Sequence, residues 1–586
     1  MRRAVAARRE FLATRHIPYA AHVAPEAIVT SAGDYVQTLR LAGASFESAD
    51  DETLNNWHER LNVTWRNIAS PNVSLWTHLI RRRDSSRLSP ATGLTFADRL
   101  ARRYQGRLST ETLMINELYL TVLFRPVTGA APSLVSKLIA KRQVASRGER
   151  HNALEACVKL RQTVSASLAR YEPEALSVYS RGERLYSAVL EFFALLLNSE
   201  PEPVPLPQAP LGSVLSTSRI LFGSETIEYR LATKTRFGAV LGIKEYPTPT
   251  VVGMYDGLLS APFPFVLTQS FTFLNKATAQ GLLQRQHARM ANAGDFAVSQ
   301  ADELIEALDA LTSNDFVMGD HHLTLQVLAD APPGPDEGDR LGSLNDSVAL
   351  ARTLLADTGM AVAREDLALE AAFWAQLPGN FSDRPRKAPI TSRNFAAMVS
   401  FHNYPCGRAT GNHWGDALAL LMTSSRSPYY FSLHDTDPRE ADGGARKDTG
   451  HTFVCGPTGS GKTVFVGFML AMLSRQEVTQ VVFDKDRGLE ILVRALGGTY
   501  LPLKNGTPTG FNPLQLPTTT TNVEFLKGWL RSLVRGSLTL SVREEADLDH
   551  ALRGTLALDR EARRLSRLIE FTDATRSEGI HARLSR

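Results

Sequence analysis

Residues His451–Thr463 read HTFVCGPTGSGKT, and the interpretation of the rest of the chain starts from this stretch. Its first part, Thr452–Cys455, is a short apolar run that predicts a buried strand. The next eight residues fit the phosphate-loop pattern G-x-x-x-x-G-K-[ST] at every fixed position. They are Gly456, Pro457, Thr458, Gly459, Ser460, Gly461, Lys462 and Thr463. The backbone is therefore predicted to wrap around a phosphate group here.

The chemistry of a nucleotide explains this pattern. Glycines let backbone N–H groups converge on a charged phosphate tail, and the following helix adds its N-terminal amides and its dipole. We expect Lys462 to reach the β- and γ-phosphates of ATP and the Thr463 hydroxyl to hold Mg²⁺. These two residues are the predicted catalytic positions, and all the loop residues are predicted to contact the nucleotide. The alternative is a glycine-rich turn that binds nothing.

The residues that follow the loop favour phosphate binding. Thr463–Leu473 is nearly all apolar, too short to span a membrane and long enough for a buried helix. Val478–Phe483 then predicts a second strand, which ends at Asp484. Strand, loop, helix and strand form a βαβ unit, so the predicted fold class is an α/β P-loop NTPase domain in the C-terminal part of the chain.

Asp484 is a further candidate site residue. It would lie at the carboxyl end of a strand, where ligands bind in open α/β sheets. It is predicted to hold Mg²⁺, a water molecule or a neighbouring subunit, and the alternative is an acidic residue that only caps the strand.

Composition sets broad limits on function. A chain of 586 residues is long enough for about three or four domains. Its net charge of +4 at pH 7 neither requires nor excludes a nucleic-acid partner. The three cysteines lie far apart without metal-ligand spacing, which is typical of a protein in a reducing compartment. No segment predicts a signal peptide or a transmembrane helix, so any association with a membrane is expected to be peripheral or through partners.

The sequence divides into three predicted parts. Glu200–Pro210, EPEPVPLPQAP, has five prolines in eleven residues and predicts a stiff, extended connector. Residues 1–200 and 211–397 are each predicted to form an α+β domain. Residues 398–586 are predicted to hold the P-loop domain and the start of a helical subdomain. Loops are expected at Ala331–Arg340 and Asp435–Gly450.

Apart from the N-terminal arginines, three other polar clusters are candidates for binding. Arg81-Arg82-Arg83 follow Asn72–Ile80, a predicted half-buried strand, and we favour a solvated strand end over a contact with phosphate or lipid. The same holds for the arginines at positions 2, 3, 8 and 9. His321 and His322 point to opposite faces of a predicted strand, so we expect a structural role. A third cluster either faces a phosphate or a neighbouring subunit, or lies in a solvated loop; its members are Arg384, Arg386, Lys387 and Arg393.

Several stretches of the chain together resemble a known family. They are FWAQLPGN at Phe373–Asn380, PITSRNF at Pro389–Phe395, GNHWG at Gly411–Gly415, GHTFVCGPTGSGKT at Gly450–Thr463, FDKDRG at Phe483–Gly488 and TGFNPL at Thr509–Leu514. In this order and spacing they resemble the conjugal-transfer ATPases of type IV secretion systems, the CagE/TrbE/VirB family. A phosphate loop alone is shared by many NTPases, whereas this combination is specific.

The resemblance implies an ATP-binding motor in the bacterial cytoplasm, peripheral to the inner membrane and docked on other subunits of a secretion channel. It also implies a RecA-like fold, a homo-oligomer that is hexameric in its complete form, and a role in assembling the apparatus and transferring DNA or protein cargo. Two alternatives stay open. One is a non-hydrolysing scaffold with a relic nucleotide site, and the other is a DNA-translocating motor outside secretion.

The sequence departs from the family in one respect. Hydrolysis needs a second acidic site, normally an apolar strand that ends in Asp-Glu. Nothing after Leu514 fits, because Glu544-Glu545 follow a polar segment and Ile569-Glu570 end a helical run. We therefore expect a truncated member of the family, which binds nucleotide but hydrolyses it weakly or not at all by itself.

Overall fold

The computed structural model of the protein describes residues 13–85, 87–89, 91–126, 147–293, 298–330, 341–434, 450–476, 478–504, 506–535 and 539–585. The chain forms two compact units, Met1–Val478 and Thr479–Arg586. The N-terminal arginines and most of the loops predicted at Ala331–Arg340 and Asp435–Gly450 lie outside the described residues.

An antiparallel sheet dominates the first unit. Its strands run in the order β1-β2-β3-β5-β4-β12-β13-β11-β10-β9, while β6 pairs with β3, β14 with β11 and β15 with β13. The strands of this unit are β1 (Tyr19–Ala24), β2 (Ala27–Thr30), β3 (Tyr35–Leu41), β4 (Val73–Asp84), β5 (Leu113–Phe124), β6 (Pro173–Ala175), β7 (Val178–Arg181), β8 (Arg184–Ser187), β9 (Arg219–Phe222), β10 (Ile227–Arg230), β11 (Thr235–Glu245), β12 (Phe265–Phe273), β13 (Met318–Asp330), β14 (Ala361–Arg364), β15 (Ala388–Thr391), β16 (Ala419–Met422) and β17 (Pro428–Phe431). Strands β7 with β8 and β16 with β17 form separate hairpins.

The centre of the sheet joins segments from both sides of the proline-rich connector. Strand β4 pairs with β12 along its length, with Leu79 opposite Leu267, and β12 in turn places Leu267 opposite Leu325 of β13. Residues before 200 and after 210 therefore share one hydrogen-bonded ladder. The domain boundaries predicted at 200–210 and at 397 stay predictions.

Helices cover both faces of the sheet. In the first unit they are α1 (Asp51–Asn67), α2 (Phe96–Leu108), α3 (Arg147–Ser167), α4 (Ala188–Asn198), α5 (Lys276–Ala293), α6 (Val298–Thr312), α7 (Gly342–Ala356), α8 (Leu369–Trp374), α9 (Ser392–Met398) and α10 (Lys462–Leu473). Trp65 of α1 and Phe395 of α9 belong to the core on one face. Phe193 of α4 and Phe373 of α8 belong to the core on the other.

Burial on both faces corrects one prediction. The sequence predicted a half-buried strand at Asn72–Ile80, whereas β4 is buried at nearly every position up to Arg81. Leu75 packs in one core and Trp76 in the other, because successive side chains of a strand point to opposite faces.

The strands predicted on either side of the phosphate loop are absent from the described structure. Thr452–Cys455 and Val478–Phe483 form neither helix nor strand. Phe453 is 89% exposed and Phe483 is 96% exposed. An apolar run becomes a strand only where a neighbouring strand accepts its backbone hydrogen bonds, and neither segment has such a neighbour among the described residues. The predicted βαβ unit is therefore wrong for these residues, although its helix is present as α10.

The second unit is helical where it is described. Its helices are α11 (Glu490–Ala495), α12 (Thr520–Arg535), α13 (Val542–Leu556), α14 (Leu565–Glu570) and α15 (Ile580–Leu584). Leu526, Leu530 and Leu552 lie in its apolar core. None of the described helices combines the length and apolarity needed to cross a membrane.

Candidate phosphate-binding site

Glycines give the loop Gly456–Thr463 its shape. Gly459 has φ +84° and Gly461 has φ +89°, a region that L side chains rarely adopt. At Gly456 a Cβ atom would lie 2.7 Å from the Ser460 hydroxyl oxygen. Helix α10 starts directly after Gly461 without a side-chain cap. The N–H groups of its first turn are therefore left without helical acceptors, which is the arrangement that favours an anion.

The side chain of Lys462 turns back into this loop. Its Nζ donates hydrogen bonds to the backbone carbonyls of Gly456 at 2.9 Å and Pro457 at 3.0 Å. The ammonium group thus lies against the loop backbone and donates its hydrogen bonds to two neutral carbonyls. A phosphate is a stronger acceptor for an ammonium than a neutral carbonyl, because both partners are charged. Thr463, next in the chain, has an exposed side chain at the start of the same helix.

Aromatic contacts hold α10 in the first unit. Phe468 packs against Tyr104 of α2 with ring centroids 4.7 Å apart, and Phe465 packs edge-on against Phe431 of β17 at 5.9 Å. Met472 near the end of the helix is buried. The outer side is open to solvent, with Val464 77% exposed. The predicted buried helix is therefore present, and it is buried on its inner side only.

An ion pair fixes the C-terminal end of this helix. Arg475, just after α10, donates from Nε to the Asp98 carboxylate of α2 at 3.0 Å. Asp98 also accepts from the Thr95 hydroxyl at 2.6 Å in a capping box that starts α2. The Thr95 hydroxyl and then Arg475 hold the pKa of Asp98 below its usual range, so the pair stays charged at neutral pH. Residues 377 positions apart in sequence thus support the phosphate-loop helix, and no sequence pattern indicated them.

Asp484 belongs to the second unit and caps a turn there. Its carboxylate accepts hydrogen bonds from the N–H groups of Gly488 at 3.2 Å and Leu489 at 2.9 Å. The Tyr500 hydroxyl donates to the same group at 3.3 Å. These contacts order the start of α11. A role of Asp484 toward Mg²⁺ stays a prediction.

The other candidate clusters are structural. Arg81 is buried and donates to Asn116 and to the backbone carbonyl of Ser425, so the prediction of a solvated strand end is wrong for this residue. Arg82 pairs with Glu117 and Arg83 with Asp330 inside the chain. The structural role predicted for the two adjacent histidines is confirmed.

Each of those histidines is buried in the sheet. His321 shares hydrogen bonds with the Tyr246 hydroxyl at 2.9 Å and with the Gln269 side-chain oxygen at 3.1 Å. Burial lowers the pKa of His321 and of His322 to about 3, so both stay neutral near pH 7. Among the described histidine, cysteine and acidic side chains, no group of three or more could hold a metal ion.

The basic segment after residue 383 divides in two. Arg384 is buried, lies over the ring of Phe381 at 5.2 Å and donates to the Ser270 and Thr272 hydroxyls. Arg386 pairs with the buried Glu365. Neither guanidinium is free for a phosphate. The other two members of this cluster, Lys387 and Arg393, are exposed.

The two acidic candidates considered after Leu514 lie on helices. Glu544 is the third residue of α13 and forms a capping box with Ser541, accepting from its N–H at 2.7 Å. Glu570 ends α14 and pairs with Arg567 at 2.8 Å. Neither stands at the end of a strand, so neither has the placement that a second acidic site needs.

Two family models match separate parts of the chain. A model of the CagE, TrbE, VirB family, component of a type IV transporter system, matches residues 174–386. A model of the N-terminal domain of the type IV secretion system ATPase VirB4/TrbE matches residues 26–131. The type IV secretion system protein virB4 of Bartonella quintana is 42% identical over 583 residues, which cover 99% of this chain and 72% of that protein.

The chain belongs to the VirB4/TrbE family of type IV secretion system ATPases. Other relatives agree. The type IV secretion system protein PtlC of Bordetella pertussis is 38% identical and is covered over 70% of its length, and virB4 of Brucella suis is 36% identical and is covered over 67%. The resemblance seen in the short motifs is thus confirmed.

The P-loop prediction is confirmed at the level of the family. A TraG P-loop domain model matches residues 431–555, a range that contains the loop Gly456–Thr463 and Asp484. The C-terminal part of this VirB4/TrbE family member is therefore a P-loop NTPase domain in a chain of mixed α and β structure. A DNA-translocating motor outside secretion is not favoured by these relatives.

Proposed function

We propose that the chain is the ATP-binding motor of a type IV secretion or conjugal-transfer apparatus, which energises its assembly and the transfer of DNA or protein substrates. One observation carries this proposal. The Lys462 ammonium lies inside the phosphate loop on the carbonyls of Gly456 and Pro457, directly ahead of an uncapped helix N-terminus. A triphosphate would supply charged acceptors for the ammonium and for the free N–H groups of the first turn.

ATP and Mg²⁺ fit these residues. Lys462 would leave the two carbonyls and bind the β- and γ-phosphates, while the backbone of Gly456–Gly461 encloses the phosphate chain. We propose that Thr463, whose side chain is exposed, holds Mg²⁺, and Asp484 is the second candidate. The metal, when bound, would supply positive charge against the negative charge that develops in phosphoryl transfer. Positioning and charge stabilisation would carry the reaction, since phosphoryl transfer needs little covalent help.

The remaining features of the proposal follow from the family. They are a RecA-like motor domain within residues 398–586, preceded by α+β domains at 1–200 and 211–397, and assembly into a homo-oligomer of up to six copies. We also propose that the protein works in the cytoplasm on the inner membrane, in contact with other subunits of the secretion channel.

Turnover by the purified chain is expected to be slow. Neither Glu544 nor Glu570 stands where it could hold Mg²⁺ at a strand end or orient an attacking water. Steady-state phosphate release measures this directly. Rapid release that disappears in Lys462→Ala would contradict the expectation, because it would show a complete hydrolytic site.

A transfer assay in the source bacterium tests the motor function itself. The gene is replaced by one that encodes Lys462→Ala, and export of the system's own cargo is measured. We expect export to fall by at least about 100-fold, since hydrogen bonds to charged groups contribute about 1.5–3 kcal/mol each and the motor cannot turn over without phosphate binding. Lys244→Ala removes an exposed lysine at the end of β11 and should leave export unchanged. Normal export by Lys462→Ala would refute the proposal.

A further inference from the structure

The hairpin of α5 and α6, which lies between β12 and β13 in sequence, has its charges segregated by helix. Helix α5 contains lysine and arginine but no acidic residue. Helix α6 contains aspartate and glutamate but no basic residue. At the base of the hairpin, Ala279 and Leu311 are buried with Phe316 and Met318 of the adjoining chain. The hairpin is therefore anchored at its base, while its helices present opposite charges.

The charged side chains of the hairpin are turned to solvent. Arg285 and Arg289, one turn apart on α5, are exposed. The acidic residues of α6 are exposed too: Asp302, Glu303, Glu306 and Asp309. No ion pair involves any of these side chains within the part of the chain that the structure describes. Ile305 lies among the acidic residues and is 53% exposed.

This arrangement selects the kind of partner. A polyanion would be attracted to α5 but repelled by α6, and a basic peptide would meet the reverse conflict. A second copy of the same hairpin avoids both, because a two-fold axis places the basic helix of each copy against the acidic helix of the other. Each copy then neutralises the exposed charged side chains of the other.

We propose that the α5–α6 hairpin docks on the same hairpin of a second copy of this chain. The contact needs neither the phosphate loop nor the proposed motor function. Its size sets its strength. Helix α6 has 15 residues and is therefore about 22 Å long. Two such helices side by side, each about 10 Å wide, offer roughly 440 Å² per copy, about half of the roughly 800 Å² per partner in a stable interface. The contact is thus weak and sensitive to salt.

Charge reversal in the full-length chain tests this proposal. One variant carries Arg285→Glu and Arg289→Glu, and the other carries Glu303→Lys and Glu306→Lys. Sedimentation velocity is measured without nucleotide at low and at high salt. Each variant alone should self-associate at least about tenfold more weakly than the wild type, since like charges then face each other. An equimolar mixture of the two should associate about as tightly as the wild type, because the exposed charges are again complementary.

The control is Arg352→Glu, which reverses an exposed arginine on α7 and should leave association unchanged. Unchanged thermal unfolding of each variant shows that it is folded. A wild type that is monomeric at low salt and about 100 µM overturns the proposal. A mixture that stays dissociated, or a loss in only one of the two variants, also overturns it and assigns the hairpin to a different partner.

Discussion

The contact between Phe468 and Tyr104 should control how well the phosphate-loop helix is ordered. Helix α10 begins at Lys462, and Phe468 holds it to α2 with ring centroids 4.7 Å apart. Aromatic pairs of this kind contribute about 0.5–1.5 kcal/mol beyond the area they bury. We therefore expect a coupling energy of about 1 kcal/mol between the two rings. Because the loop leads directly into this helix, loss of the coupling between the rings should weaken MgATP binding about fivefold, since 1.4 kcal/mol corresponds to a factor of ten.

A double-mutant cycle measures this coupling. Phe468→Leu, Tyr104→Leu and the double variant are titrated with a fluorescent ATP analogue in the presence of Mg²⁺. The losses of binding free energy in the two single variants should add up to about 1 kcal/mol more than the loss in the double variant. Phe525→Leu is the control, because Phe525 lies in the second unit and is 54% exposed. Strict additivity, or single variants that bind like the wild type, would refute the idea that this packing supports the site.

Two further predictions concern the loop glycines and the buried histidines. Gly461→Ala should weaken MgATP binding about 5- to 30-fold, because φ +89° costs an L-residue about 1–2 kcal/mol, whereas Gly106→Ala inside α2 meets no atom within 4 Å and should bind normally in the same titration. Burial lowers the pKa of His78 to about 4 and of His321 and His322 to about 3, from an ordinary value of 6.5. The unfolded chain therefore binds protons below pH 6.5 that the folded chain does not, and the free energy of unfolding should fall by up to about 1.4 kcal/mol per pH unit for each histidine as the pH drops from 6.5 toward 4. Urea unfolding at pH 7 and pH 5 checks this, and His321→Gln should reduce the slope; a free energy that is constant over this range would contradict it.

The phosphate loop was predictable from the sequence because its chemistry is local. The glycines, Lys462 and Thr463 are fixed by spacing within eight residues, and a backbone that encloses a phosphate needs those residue types in that order. The helix after the loop was predictable for the same reason, since an apolar run of that length favours a helix.

The surroundings of the loop were not predictable, because they depend on partners that are distant in sequence. The runs at Thr452–Cys455 and Val478–Phe483 have the composition of strands, but a strand exists only with a neighbouring strand beside it. The packing of Phe468 on Tyr104 and the pair of Arg475 with Asp98 join segments that no local pattern connects.

The large sheet shows the same limit. Most of its long strands have alternating or apolar sequences, and in β13 the apolar residues Leu323, Leu325 and Val327 alternate with polar ones. The covering of the second face of the sheet was not predictable, since a sequence does not state which helices will lie over a strand. Arg81 was expected at a solvated strand end, and a solvated loop was one of two alternatives for Arg384. Both are buried because they donate hydrogen bonds to residues that are distant in sequence.

Equilibrium binding of MgATP to the full-length chain tests the central claim most directly. Isothermal titration of the wild type should give a single site per chain, and Lys462→Ala should weaken it about 10- to 100-fold, because hydrogen bonds to charged groups contribute about 1.5–3 kcal/mol. Lys244→Ala, an exposed lysine away from the loop, should bind like the wild type. Equal affinity of the wild type and Lys462→Ala would contradict the assignment of Gly456–Thr463 as the phosphate-binding site.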